Sequence, residues 1–160
     1  MVDLSDFTRS LNLRILSPSN RKELNIHSAE LNRPGLELVG YYDHFAFERP
    51  QVFGNVEMGY LMDLSPKNRK SKLWKFFSYD IPCVILCRGH VPPEEMLRIA
   101  EEKDLPILGS DMSTTGFIVS AIMHLNRVLA PHTMMHAVLV DVYGIGVLIT
   151  GESGVGKSEA

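Results

Sequence analysis

The chain has 160 residues, 45% hydrophobic and 22% charged, which suits one ordinary domain or one domain plus part of another. Its formal net charge of -3 gives no global pull toward nucleic acid or anionic lipid, and no apolar run reaches the roughly 18 residues that cross a bilayer. The opening residues, MVDLSDFTRSLNL, lack the basic start and continuous apolar stretch of a signal peptide, so the sequence predicts a cytoplasmic protein.

In chain order, Ser5 is expected to cap a short helix, DFTRSLNL, followed by a strand, LRIL, and a polar turn, SPSNRKE. Pro34 and Gly35 then mark a turn, and Gly40 and Gly54 punctuate the stretch from 31 to 54. The aromatic residues Tyr41, Tyr42, Phe45 and Phe47 cluster there. They are expected to close over a sheet edge and fill the core, with an exposed aromatic binding patch as the alternative. Ser65 as N-cap and Pro66 at the first helical position start a helix, SPKNRKSKLWKFF. Leu73, Phe76 and Phe77 are assigned to its core face. Lys67, Arg69, Lys70, Lys72 and Lys75, with Trp74 among them, fit either a solvated face or a basic patch for an acidic partner or polyanion.

The chain then alternates. CVILC reads as a buried strand bounded by Pro82 and Gly89, and PPEEMLRIAEEKD as an acid-led helix with Met96, Ile99 and Ala100 on one face. LPILGS is a short strand, and STTGFIVSAIMHLNRVLA a longer helix from about Thr114. This β-α-β-α order predicts an α/β layer with parallel pairing in at least part of the sheet. Cys83 and Cys87 lie four strand steps apart, about 13 Å at ~3.3 Å per residue. A disulfide needs under ~7 Å, so both are expected to be buried, reduced core residues.

Pro131 stops the long helix, and a domain boundary is placed near 128 to 133, giving domains at 1–130 and 131–160. HAVLVDVYGIGVLIT then reads as two strands around a Tyr143-Gly144 hairpin turn, with Gly144 supplying positive φ. His132 and His136 are four apart but follow a proline outside any helical pattern, so a shared metal is not expected.

GESGVGKS fits G-x-x-x-x-G-K-[ST] at Gly151, Gly156, Lys157 and Ser158, directly after the strand-like GVLIT. Glycines in such a loop let successive N–H groups point inward as an anion-binding nest, and a helix start beneath it adds a favourable dipole. Lys157 would reach the β- and γ-phosphates and the Ser158 hydroxyl would hold Mg²⁺. Only His136 and Asp141 lie close by in sequence. His136 fits either an ordinary histidine at the start of a strand or a group meeting the phosphates.

The run HAVLVDVYGIGVLITGESGVGKSE is similar to the start of the catalytic domain of the bacterial HPr kinase/phosphorylase family. LNRPGLELVGYYDHFAFERPQVFGNVE and the STTGF helix resemble that family's N-terminal domain, so the likeness covers essentially the whole chain. Ala137 stands where the family usually has glycine after the histidine. The resemblance implies an α/β N-terminal domain, three-layer-like and similar to the first domain of muramyl-peptide ligases, followed by the opening hairpin and P-loop of a kinase domain. It implies that ATP or pyrophosphate serves to phosphorylate a serine of the carrier protein HPr, that phosphorolysis reverses this, and that the pair of reactions serves carbon catabolite repression. By matching position, Gly151, Glu152, Ser153, Gly154, Val155, Gly156, Lys157 and Ser158 would bind nucleotide. Ser158 would bind Mg²⁺, and His136 and Lys157 would be active-site residues. The implied assembly is a hexamer built largely through the catalytic domain, with no nucleic-acid or membrane partner.

The family's acid/base aspartate and second metal carboxylate lie downstream of the P-loop helix. The 160-residue chain is therefore expected to be a fragment, inactive and without tight ATP binding by itself. The alternative is a standalone binding or regulatory module using residues 1 to 128, with the aromatic cluster and the basic helix as its surfaces.

Overall fold

The computed structural model describes residues 1–131 and 137–151. It divides into two compact units, Met1–Leu129 and Ala130–Ala160. In chain order the first unit holds β1 (Val2–Asp3), α1 (Leu4–Ser10), β2 (Arg14–Ser17), β3 (Glu23–Leu24), α2 (Gly35–Leu38), β4 (Gln51–Phe53) and α3 (Asn55–Asp63). It continues with α4 (Pro66–Phe76), β5 (Val84–Leu86), α5 (Glu94–Glu102), β6 (Ile107–Gly109) and α6 (Thr114–Leu129).

A four-stranded sheet in the order β2-β6-β5-β4 forms the middle of this unit. Strands β4, β5 and β6 run parallel in register Gln51–Val84–Ile107 through Phe53–Leu86–Gly109, and β2 closes the far edge antiparallel to β6. Successive strand residues point to opposite faces. Val84 and Leu86 of β5 accordingly join one core cluster with Leu38, Met58, Leu73, Phe76, Met96 and Ile99. Cys83, Ile85 and Cys87 join another with Phe7, Phe117, Ala121 and Leu125. Helices α2 to α5 therefore cover one face, and α1 and α6 the other. The partly parallel α/β layer expected from the alternation is present, with β1 and β3 paired as a separate small ribbon.

Local chemistry explains the element ends. Asp3, not Ser5, caps α1: its backbone is extended and its Oδ1 accepts from Asp6 N at 2.7 Å, so the helix begins two residues earlier than Ser5 suggested. That bond also holds the Asp3 carboxyl below its usual range. Ser65 caps α4 as expected, accepting from Asn68 N at 3.3 Å ahead of Pro66. Leu73, Phe76 and Phe77 are buried. Arg69 departs from the expected basic face. It is 8% exposed and donates to Leu61 O at 2.8 Å and Leu64 O at 3.0 Å, closing the α3–α4 turn from inside.

The aromatic stretch is divided between core and surface. Phe45 is buried, its ring 5.0 Å from Tyr79 and 5.2 Å from Phe76, while Tyr42 stacks on Tyr79 at 5.2 Å. Burial, with Tyr79 and Glu37 nearby, pushes the Tyr42 hydroxyl up to about 12. Tyr41 and Phe47 stay partly exposed, at 51% and 39%. Both cysteines are buried and free, as expected. Desolvation raises both thiols, Cys87 to about 11.

The described part of the second unit is a hairpin, β7 (Ala137–Val142) and β8 (Ile145–Thr150), paired antiparallel from Ala137–Thr150 to Val142–Ile145. The turn has Tyr143 at φ 54 and Gly144 at φ 80, the backbone of a type I′ turn.

Candidate functional site

The strand leading toward the glycine-rich loop is built from β-branched and aliphatic residues, Ile145 to Thr150, and runs directly into Gly151. Its register places Thr150 opposite Ala137, so the end of β8 and the start of β7 share one end of the hairpin. Asp141 faces Gly146 in the ladder, and its Oδ1 accepts from Gly144 N at 2.8 Å, pinning the turn at the opposite end. Gly151 is the one residue of the loop motif within the described residues. His136, Glu152, Ser153, Gly154, Val155, Gly156, Lys157 and Ser158 lie outside them, as does His132.

In the first unit the chain organises a polar junction that the sequence did not flag. Gly54 ends β4 and starts α3, where its N–H donates to Glu57 Oε2 at 2.8 Å. Glu57 is 4% exposed and also receives Arg33 Nε and Nη2, each at 3.1 Å. A buried carboxylate needs such partners, and here two guanidinium N–H groups and one backbone N–H supply them. The available signal was the G-x-x-E spacing after a strand, the carboxylate half of a capping box with glycine at the N-cap. Beside it, His90 Nε2 lies 2.8 Å from Asn55 Oδ1. These bonds join the end of β4 and the start of α3 to the segments that carry Arg33 and His90.

His124 on α6 is a second group that the sequence left unremarked. It is 6% exposed; Nδ1 lies 3.2 Å from Arg127 Nη2, and Nε2 lies 3.7 Å from Asp6 Oδ2 without a hydrogen bond. Because a guanidinium only donates, Nδ1 must accept, and the proton sits on Nε2 facing Asp6. Desolvation holds the imidazole below its ordinary value, with Asp6 acting upward and Arg127 downward. Among the described residues, no three His, Cys, Asp or Glu side chains gather to hold a metal ion. No helix there is long and apolar enough to cross a membrane.

Comparison with known proteins assigns the lineage. The family described as HPr Serine kinase N terminus matches residues 2–125, and HPr Serine kinase C-terminal domain matches 127–160. The chain belongs to the HPr kinase/phosphorylase family. The HPr kinase/phosphorylase of Clostridium perfringens (strain SM101 / Type A) is 48% identical over 158 residues, covering 99% of this chain and 51% of that protein. The protein of the same name from C. perfringens (strain 13 / Type A) is 55% identical over 134 residues, 84% of this chain and 44% of its own. That of Alkaliphilus metalliredigens (strain QYMF) is 45% identical over 158 residues, 99% and 51%. The chain thus spans about half the length of the curated relatives it matches.

Among solved structures, the CBS and DRTGG domains of the regulatory region of C. perfringens pyrophosphatase, complexed with activator, diadenosine tetraphosphate, match with a TM-score of 0.55. Identity is 10%, and the match covers 78% of this chain and 47% of that one, a likeness of fold alone.

Proposed function

We propose that the complete protein carrying this chain phosphorylates a serine of HPr with ATP or pyrophosphate, and removes that phosphate by phosphorolysis, in carbon catabolite control. The observation that carries this reading is GESGVGKS directly after a paired β-strand, in a chain of the HPr kinase/phosphorylase family. Residues 1–130 act as the N-terminal domain, similar to the first domain of muramyl-peptide ligases. Residues 131–160 open the catalytic domain, which also assembles the hexamer.

The donor set suits the task. Backbone N–H groups from Gly151 to Ser158 and the Lys157 ammonium match polyphosphate oxygens, which carry the same anionic chemistry in ATP, pyrophosphate and inorganic phosphate. The Ser158 hydroxyl is a hard oxygen ligand of the kind Mg²⁺ takes. When bound, Mg²⁺ neutralises charge on the transferring phosphoryl group. Lys157 holds and orients the phosphates, and His136 works beside them as an active-site group. Ala137 pairs with Thr150, so Gly151, the first residue of the loop motif, follows at the end of the hairpin where β7 begins. Asp141 is engaged by the turn at the other end of the hairpin.

The 160-residue chain alone neither transfers phosphate nor binds Mg-ATP tightly, in keeping with its covering 51% of its relatives' length. Calorimetric titration of the chain with Mg-ATP tests that statement, and micromolar affinity would refute it. Mg²⁺-dependent labelling of HPr by the complete protein, lost in Lys157→Ala, tests the activity.

A further inference from the structure

Among the described residues, Nε2 of His124 is the buried side-chain polar atom left without a hydrogen bond. Orphaned donors of this kind are rare in folded chains, because the hydration they lose is not replaced. The ring lies in the seam between α1 and α6, edge-on to Phe7 with centroids 5.9 Å apart, and its side chain is 4% exposed.

The charged groups acting on the ring are Arg127 and Asp6. Arg127 is on the same helix, in its last turn, and its Nη2 lies 3.2 Å from Nδ1. It stands two residues before the first unit ends at Leu129. Asp6 is on α1, with Oδ2 at 3.7 Å from Nε2. Its other oxygen, Oδ1, is already engaged by Arg9 Nη2 at 3.2 Å and Ser10 Oγ at 3.4 Å, so Oδ2 is the open one. Ser10, Leu11, Ser120 and Met123, all uncharged, complete a hollow of about 330 Å³ beside His124 and Arg127.

A proton changes what each ring nitrogen can do. In the neutral ring Nδ1 accepts from Arg127, and Nε2–H faces Asp6 across a gap about 1 Å longer than a charge-assisted bond of ~2.8 Å. An added proton must go to Nδ1, the nitrogen with a lone pair. There it sets donor against donor and cation against cation, and the Arg127 bond is lost. The same proton charges Nε2–H opposite the open Asp6 oxygen, and closing the gap satisfies the orphaned donor. The hollow gives the guanidinium space to withdraw. Burial opposes the charged ring, so the exchange belongs below the ordinary imidazole value of about 6.5.

We propose that His124 is a proton-operated partner switch. The neutral ring is held by Arg127 within α6; the protonated ring pairs with Asp6 across the α1–α6 seam and releases Arg127 at the end of the first unit. All three residues belong to that unit, so the switch does not depend on the reading of the phosphate loop.

The test uses the 160-residue chain. Nitrogen-15 NMR, with the His124 ring assigned from its own backbone signals, follows the proton from about pH 8 to 5. The Nε2–H tautomer is expected at the upper end. The Arg127 guanidinium should be restrained there and rotate freely once the ring is charged. Arg127→Ala should raise the ring's midpoint and Asp6→Asn lower it, each by at least about 0.5 pH. Double-mutant cycles with His124→Gln in urea unfolding read the exchange itself. Coupling to Arg127 should favour the folded chain about threefold or more near pH 8 and vanish near pH 5, and coupling to Asp6 should do the reverse. Circular dichroism confirms that the variants are folded, and the NMR titration of the wild type stands without them. An Nδ1–H tautomer near pH 8, a ring still neutral or a chain already unfolded near pH 5, an Arg127 guanidinium equally restrained at both, midpoints unmoved by either substitution, or an Asp6 coupling that does not grow with acid would each overturn the proposal.

Discussion

Arg69 and Glu95 join α4 to α5 from the inside: guanidinium Nη1 lies 3.3 Å from the carboxylate, and both side chains are largely withdrawn from solvent. The same guanidinium holds the carbonyls of Leu61 and Leu64. Arg69→Ala would leave two carbonyls and a carboxylate without that donor. It should destabilise the fold by about 3 kcal/mol in urea unfolding. Arg69→Lys should recover little of this, because one ammonium cannot reproduce a forked set of donors. A variant within about 0.5 kcal/mol of wild type would show that the fork is dispensable.

Gly54 is required by close approach. A Cβ there would lie 2.4 Å from Thr114 Oγ1. Gly54→Ala should cost about 1–3 kcal/mol in thermal unfolding, and adding Thr114→Ala should return part of it by removing the obstructing hydroxyl. Strict additivity of the two losses would contradict the contact.

His124 makes stability depend on pH. Above about pH 6.5 the ring is neutral in folded and unfolded chains alike, and it contributes no difference. The folded value is held below the ordinary one, so as the pH falls below about 6.5 the unfolded chain takes the proton first. Stability is therefore lost from about pH 6.5 down through the depressed folded value. In His124→Gln the fall in unfolding free energy between about pH 7 and 5 should be shallower than in wild type. Equal slopes would contradict the assignment.

Cys83 and Cys87 should resist an aromatic disulfide reagent at about pH 8 until the chain unfolds, because burial blocks access and raises both thiols. Two fast equivalents of labelling in the native chain would contradict this.

Much of the fold was legible where local chemistry and periodicity agree. Ser65-Pro66 announced α4, the apolar run between the two cysteines announced β5, and Tyr143-Gly144 announced the hairpin. The misses have physical causes. Strands β1 and β3 are two residues each, too short for alternation to register. Strand β4 is three residues, buried throughout, after an aromatic stretch that reads as loop. Helix α3 buries Glu57 with Met58 and Leu61, so a carboxylate lies on its inward side and no clean apolar stripe appears. Arg69 reads as one more basic residue on a basic helix, and only the α3–α4 turn folded beneath it reveals the inward orientation. The G-x-x-x-x-G-K-S string could be read from the sequence after a strand, and beyond Gly151 it lies outside the described residues. The polar junction at Gly54, Glu57 and Arg33 was not legible, because Arg33 lies 24 residues from its carboxylate.

The most direct test of the account is phosphoryl transfer by the complete protein: radiolabel from the γ-position of ATP to purified HPr, with and without Mg²⁺. The account predicts Mg²⁺-dependent labelling of a serine, abolished by Lys157→Ala and reversed by inorganic phosphate with release of pyrophosphate. A folded complete protein that leaves HPr unlabelled with both ATP and pyrophosphate as donor would contradict it.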